Sequence, residues 1–262
     1  RLTGLPAAVV RSRLYREQLW PGSTVKHEMR RRGAARYEWS DALLDLYRDS
    51  DAFLFELAVW NRNRYKLAMR RWLMRALGPA GPRPLRVLCY GDGLGFDTLC
   101  LATLGHDVTY FEVSSLCVAF ARDLFGESGC RARVAGSDPL GERVYDAVVC
   151  LDVLEHVPDP PALVRAFAGA LAPGGRLISH APFGILNPEL GTHLRSNRRY
   201  YGDERLYADA GLRLVDGHWL WNPIVLRKAG PVATPEALPP RVVRVTGALM
   251  RWGVLAALWD IA

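Results

Sequence analysis

A chain of 262 residues, half of them apolar, can bury a substantial core as one large domain or two small ones, which excludes a disordered chain or a stapled mini-protein. The net charge is +7, but the cations are nearly all arginine and spread along the chain, with only Arg30, Arg31 and Arg32 in a tight run, so a nucleic-acid partner is disfavoured. Five cysteines (Cys89, Cys100, Cys117, Cys130 and Cys150) are odd in number, scattered and without Cys-x-x-Cys spacing, which argues against a disulfide framework or a zinc site; with no secretory signal pattern, a reducing, cytoplasmic compartment is expected.

Residues 1–83 read as a helical cap. Ser40-Asp41 and Ser50-Asp51 are N-cap pairs with an acid in the first turn, and Leu43, Leu44, Leu46 and Tyr47, then Phe53, Leu54, Leu57 and Ala58, recur at helical spacing. A third helix through Leu67, Trp72, Leu73 and Leu77 stops at Gly78-Pro79, and residues 81–84 lead into the first strand. Trp39, Trp60, Tyr37 and Tyr65 beside Arg62, Arg64 and Lys66 fit amphipathic helices packing aromatics inward.

The centre of the chain is Arg86–Asp97. An apolar run, Val87 to Tyr90, meets Gly91, Gly93 and Gly95, and a helical pattern follows, the form of a strand-to-helix turn that brings backbone close to a ligand. A dinucleotide fold needs Gly-x-Gly-x-x-Gly, but the third glycine falls one place early and Phe96 stands where it should be. No Gly-x-x-x-x-Gly-Lys-Ser/Thr element occurs, which disfavours a phosphate-cradling loop.

From Leu85 onward strand and helix signals alternate, as in a parallel α/β sheet. The expected order is a helix to Leu104, a strand from Val108 to Phe111 ending at Glu112, a helix from Leu116 to Phe125, a strand from Arg131 to Ala135, and a strand from Tyr145 to Asp152. Asp159 caps a helix begun by Pro160 and running to about Leu171; Pro173-Gly174-Gly175 turns into a fifth strand, Arg176 to Ser179, with His180 at its end. After a polar loop from Asn187 to Asn197 holding His193, a helix is expected from Tyr200 to Ala210, then an antiparallel pair, Arg213 to Val215 and Ile224 to Leu226. Residues 231–262 read as a Pro-rich linker and an apolar helix from Val242 to Ile261, docked on the domain or on a second subunit of a homodimer; Arg244 and Arg251 disfavour a membrane span and leave interfacial membrane contact as the sharper alternative.

An acid at the carboxyl end of the second strand, about 20 residues beyond the first glycine, can accept hydrogen bonds from ribose hydroxyls, which makes Glu112 a cofactor ligand. Glycines followed by Glu112, Gly136-Ser137-Asp138, the run Tyr145-Asp146-Ala-Val-Val-Cys-Leu-Asp152-Val-Leu-Glu155-His156-Val157, and Pro173-Gly-Gly-Arg-Leu together resemble class I S-adenosylmethionine-dependent methyltransferases of the small-molecule type. The resemblance covers roughly residues 85–228 and departs from the family at Cys89, where an acid is usual.

That resemblance implies a three-layer Rossmann-like fold, a seven-stranded mostly parallel sheet in residues 84–230 with the N-terminal helical cap and the C-terminal helix added. It also implies S-adenosyl-L-methionine as cofactor, bound by Tyr90, Gly91, Asp92, Gly93, Gly95, Glu112, Val113, Ser137, Asp138 and Leu151. Histidine titrates near neutrality, so His180 and His193, with Asp152, are the expected catalytic groups; His156 is assigned to a structural or cofactor-side role. No metal-ligand clustering and no Ser/His/Asp arrangement is visible, so no metal is expected and hydrolysis is disfavoured. The expected activity is methyl transfer to an O, N or C nucleophile of a small molecule, such as a specialised metabolite or a sugar-type acceptor. Two rivals remain: an RNA methyltransferase using the arginine-rich helices, and a non-catalytic nucleoside-binding or assembly subunit with the same fold.

Overall fold

The computed structural model describes residues 2–186, 191–217 and 223–229. The expected C-terminal linker and helix, and residues 187–190 of the polar loop, lie outside the described residues.

Five helices precede the sheet: α1 (Ala7–Leu19), α2 (Ser23–Arg32), α3 (Asp41–Asp49), α4 (Ala52–Trp60) and α5 (Arg64–Leu77). Ser40 caps α3 as expected, its hydroxyl accepting from Leu43 N at 3.2 Å. At α4 it is Ser50 whose hydroxyl accepts, from Ala52 N, while Asp51 turns outward to Arg13 at 2.9 Å. Gly78, at φ 67°, ends α5 where the Gly-Pro signal put it.

The sheet then builds through β1 (Arg86–Tyr90), α6 (Phe96–Thr103), β2 (Asp107–Phe111), α7 (Ser115–Glu127), β3 (Arg133–Val134), β4 (Tyr145–Leu151), α8 (Pro160–Ala170), β5 (Leu171–His180), α9 (Arg205–Ala208), β6 (Leu212–Gly217) and β7 (Ile224–Lys228). Seven strands lie in the order β3-β2-β1-β4-β5-β7-β6, the first five parallel and β7 antiparallel to both β5 and β6. This is the expected Rossmann-like α/β sheet. The strand order reverses at β1 and β4, where open α/β sheets bind ligands.

Alternation along the strands divides the core into two layers. Leu88, Val148, Cys150 and Leu177 face one side, packing with Val164, Phe167 and Leu206 from α8 and α9. Val87, Cys89, Ala147, Val149 and Ile178 face the other, against Leu73 of α5 and Leu101 of α6. Leu73 is fully buried there, so α5 is packed as a layer of the sheet. The earlier helices have their own core, Val25, Met29, Leu43, Leu46 and Phe53, which closes on Leu94 of the glycine turn and Cys117 of α7.

Two expected elements are shorter than the sequence suggests. The helix expected over Tyr200 to Ala210 is only the four residues of α9, because Gly202 at φ 68° breaks the chain direction after a 3-10 turn over Arg195–Tyr200. The third strand has only Arg133 and Val134 on the ladder, as befits an edge strand flanked by Gly129 and Gly136. Among the described residues, no helix is long and apolar enough to cross a membrane.

One ion cluster ties α5 to the sheet. Asp97, in the first turn of α6, takes Lys66 Nζ at 3.0 Å and Arg70 Nε at 2.7 Å, and Arg70 also donates to Asn61 Oδ1. All three ions are at least nine-tenths buried. Burial works against the Asp97 anion, but Lys66 and Arg70 outweigh it and hold the carboxyl below its ordinary range. Breaking a buried pair strands the remaining charge, so Asp97→Asn is expected to cost about 3–5 kcal/mol in urea-induced unfolding. A loss under about 1 kcal/mol would show that the trio does not hold α5 in place.

Candidate active site

The glycine turn runs from the end of β1 into α6 with Gly91, Gly93 and Gly95 at φ 71°, 53° and 80°. A Cβ on Gly91 would stand 2.5 Å from Val153 Cγ2, and one on Gly93 would stand 2.7 Å from Leu57 Cδ1. The absent side chains therefore admit neighbouring protein: Val153 from the β4 turn, and Leu57 from α4 lying over the loop. Asp92 reaches forward to α6, accepting from Thr98 N at 2.7 Å and Asp97 N at 3.3 Å, so a carboxylate sits at the positive end of that helix. Burial first, and then the neighbouring Asp97, push Asp92 up to about 7.

Cys89 lies on the same face of β1 as this cluster, and the charges of Asp92, Asp97 and Lys66 all act on its thiol. The acids of this region therefore stand in the turn and on the helix, at Asp92 and Asp97, and not on the strand. A carboxylate at position 89 would add a third buried acid beside Asp92 and Asp97, on both of which the Lys66 charge acts.

Glu112 stands just beyond β2, with Oε2 accepting from Gly93 N at 2.9 Å and Oε1 from Val113 N at 2.8 Å and Ser114 N at 2.9 Å. A carboxylate has about four acceptor positions, so roughly one remains, on Oε2. Burial raises the Glu112 pKa, and the three amide donors oppose that shift. Beside it Val113 is 51% exposed, an apolar side chain open at the strand end. The Tyr90 hydroxyl donates to Asp138 Oδ2 at 3.2 Å and Leu140 N to Asp138 Oδ1 at 3.0 Å, leaving each oxygen one free acceptor position. Tyr90 packs against Phe111 and Phe167. Ser137 turns aside to Glu142 at 3.1 Å, and Leu151 is buried in the layer behind β1. Free acceptor positions on Glu112 and Asp138 beside the aromatic Tyr90 and the exposed Val113 are groups that a nucleoside can use.

Asp152 ends β4 at φ 59°, a strained position for a residue with a Cβ. Its Oδ1 hydrogen-bonds His180 Nδ1 at the end of the adjacent β5, while Oδ2 accepts from Trp60 Nε1 at 3.2 Å and lies 3.8 Å from Lys66 Nζ. The parallel register setting Leu151 opposite His180 makes the pairing possible. Burial disfavours the Asp152 anion, but His180, Lys66 and Trp60 together hold its pKa well below the ordinary range. A carboxylate on Nδ1 orients the imidazole with Nδ1–H toward Asp152 and Nε2 turned away from it.

His193 does not join that pair. Its Nδ1 meets the Ile185 carbonyl at 2.8 Å, and its ring lies edge-on to His156 with centroids 4.7 Å apart. His156 Nδ1 lies 3.1 Å from the Thr192 carbonyl and 2.9 Å from the Tyr47 hydroxyl. Burial lowers both imidazoles, His156 to about 3. Where the sequence displayed no metal-ligand clustering, folding brings Glu155, His156 and His193 within 4.8 Å of one another. Trp60, Lys66, Arg70 and Tyr47 also enter the site from helices whose sequence signal was only amphipathic packing.

Asn197, fully buried, holds this corner by donating from Nδ2 to the carbonyls of Leu154, Glu155 and Val157 at 3.3, 3.2 and 2.9 Å. Asn197→Ala is expected to destabilise the fold by about 1–3 kcal/mol, the cost of buried acceptors left unpaired, measured by thermal or urea unfolding. An unchanged midpoint would mean that water replaces the amide.

A family model described as a methyltransferase domain matches residues 60–213. The ubiquinone biosynthesis O-methyltransferase of Xanthomonas axonopodis pv. citri (strain 306) is 42% identical over 106 residues, 38% of this chain and 43% of that protein. Its namesake from Xanthomonas euvesicatoria pv. vesicatoria (strain 85-10) is 40% identical over 97 residues, 35% and 41% of the two chains. The chain thus spans less than half the length of these curated relatives. Among solved structures, TehB from Haemophilus influenzae shares the fold at 16% identity and a TM-score of 0.50, over 65% of this chain and 66% of that one.

Proposed function

The chain belongs to the methyltransferase domain family, whose model spans more than half of it, and on that premise we propose that it transfers a methyl group from S-adenosylmethionine to a hydroxyl oxygen of a small molecule. The observation that carries the choice of reaction is the Asp152–His180 pair, which stands at the carboxyl ends of β4 and β5, on the sheet edge that also holds the glycine turn and Glu112. Oxygen as the attacking atom is supported by the name O-methyltransferase printed for the curated relatives.

Bound S-adenosylmethionine supplies an electrophilic methyl group on a positively charged sulfur. Glu112 would accept from the ribose on its free Oε2 position, and Asp138 from the adenine amino group. Ser137 lies in the same turn but hydrogen-bonds Glu142, so it would flank the base without contacting it. In the glycine turn Asp92 is the acid that would lie toward the donor's ammonium, a cation that would favour its ionised form, whereas Asp97 is already taken by Lys66 and Arg70.

His180, with its Nδ1 proton held by Asp152, takes the acceptor's hydroxyl proton on Nε2. Taking that proton would leave the imidazole cationic beside the Asp152 anion, so this pair would carry the positive charge that the bound donor gives up with its methyl group. Leu57 and Trp60 on α4 lie over the glycine turn and Asp152, and so restrict water at the reacting atoms. A reducing cytoplasmic setting fits the five free thiols.

Titration calorimetry with S-adenosylmethionine tests the donor, and no heat at millimolar ligand would sink the proposal. Glu112→Gln is expected to weaken donor binding by about 1–3 kcal/mol, since the amide has fewer acceptor positions than the backbone donors and the ribose demand. An unaltered affinity would show that the ribose lies elsewhere. His180→Asn is expected to lower kcat about 10²–10⁴-fold, followed by transfer of labelled methyl to hydroxylated acceptors, with donor affinity unchanged.

A further inference from the structure

Glu155 is 1% exposed, yet neither of its carboxylate oxygens has a hydrogen-bond partner on another residue among the described residues. A carboxylate taken out of water without compensation costs several kcal/mol, so this side chain is either held as the neutral acid or matched to a cation. Neither Lys66 nor Arg70 is that cation, since Lys66 lies on Asp97 and Asp152, and Arg70 on Asp97 and Asn61. The groups that do face Glu155 are imidazoles: His156 Nε2 stands 3.7 Å from its Oε1, and a ring nitrogen of His193 completes a trio of donor atoms within 4.8 Å.

The tautomers are set by what the other ring nitrogens touch. A carbonyl can only accept, so His193 carries its proton on Nδ1 toward Ile185 O; His156 Nδ1 faces both Thr192 O and the Tyr47 hydroxyl, and since the hydroxyl can accept while the carbonyl cannot donate, a proton on Nδ1 satisfies both contacts. Both Nε2 atoms are left with lone pairs. An imidazole whose Nδ1–H is anchored on a backbone carbonyl while Nε2 is free is the arrangement of a metal-ligating histidine.

We propose that Glu155, His156 and His193 form a binding site for a divalent first-row transition ion. Two nitrogens and one carboxylate select zinc, iron, cobalt or manganese over calcium and magnesium, which prefer all-oxygen sets. Donor atoms on one such ion sit roughly 3–4 Å apart, so side-chain adjustments alone close the trio. The backbone is already fixed on both sides: Leu194 N donates to Glu155 O at 2.9 Å, Arg195 N to Tyr37 O at 2.8 Å, and Asn197 pins the carbonyls around Glu155. Three protein ligands leave coordination positions open. Along the chain the trio joins the proposed base pair through the turn after β4, where Asp152 is followed by Glu155 and His156. Resting on the methyl-transfer reading, an ion there would lower the pKa of an acceptor hydroxyl bound to it, before His180 takes the proton.

The test is titration of the chelator-treated full chain with Co²⁺, read by visible ligand-field absorption, which needs no methyl transfer. Saturable binding near one equivalent is expected, with affinity reduced at least ~100-fold in Glu155→Gln and in His193→Ala and unchanged in His27→Ala, an exposed histidine elsewhere. Should His193→Ala fail to fold, the near-isosteric Glu155→Gln decides. No absorption change, equal affinity in Glu155→Gln, or bands of thiolate-to-metal charge transfer from the cysteines would each overturn the site. Cobalt binding without methyl transfer to any acceptor would leave the site standing and remove the catalytic reading alone.

Discussion

The buried contact of Asp97 with Lys66 and Arg70 is the constraint on which the site depends. It locks α5 to the first turn of α6, and that turn continues the glycine loop, so the loop's position follows from an ion cluster outside it. Two cations against one carboxylate leave positive charge over, and Lys66 extends it to Asp152 at 3.8 Å. Through that side chain the glycine-turn end and the Asp152–His180 end of the candidate site share one electrostatic network, and Asp152 is held ionised beside His180.

The helices before the sheet are part of the same machinery. Leu57 lies on Gly93, Trp60 donates to Asp152, and Tyr47 reaches His156. Their core closes on Leu94 and Cys117, so the helices and the sheet share buried surface and cannot part without exposing it. Cys89 is explained in these terms. A carboxylate on the strand would be buried beside Asp92 and Asp97, and the two nearby cations, Lys66 and Arg70, already hold Asp97.

The glycine-turn half of the candidate site was legible because its residues lie at the ends of strands whose spacing is set by backbone geometry. Gly91, Gly93, Gly95, Glu112 and Asp138 fall at the carboxyl edge of the sheet once β1 to β3 are drawn, whatever the helices do. Asp152 and His180 share that advantage, because adjacent parallel strands put equivalent ends side by side. The helix misread over Tyr200 to Ala210 shows the limit: a helical pattern did not reveal that Gly202 would leave the right-handed region.

Sequence alone determined the α/β class, the strand ends and the acids placed on them, because these follow from periodicity and local turn chemistry. Only the tertiary structure decided which side chains meet across distant segments. Lys66 on Asp97, Trp60 on Asp152, and His193 brought to Glu155 and His156 join parts of the chain with no common period. Pairings of that kind depend on how helices and loops pack over the sheet, and packing is settled by the whole buried surface rather than by any one stretch.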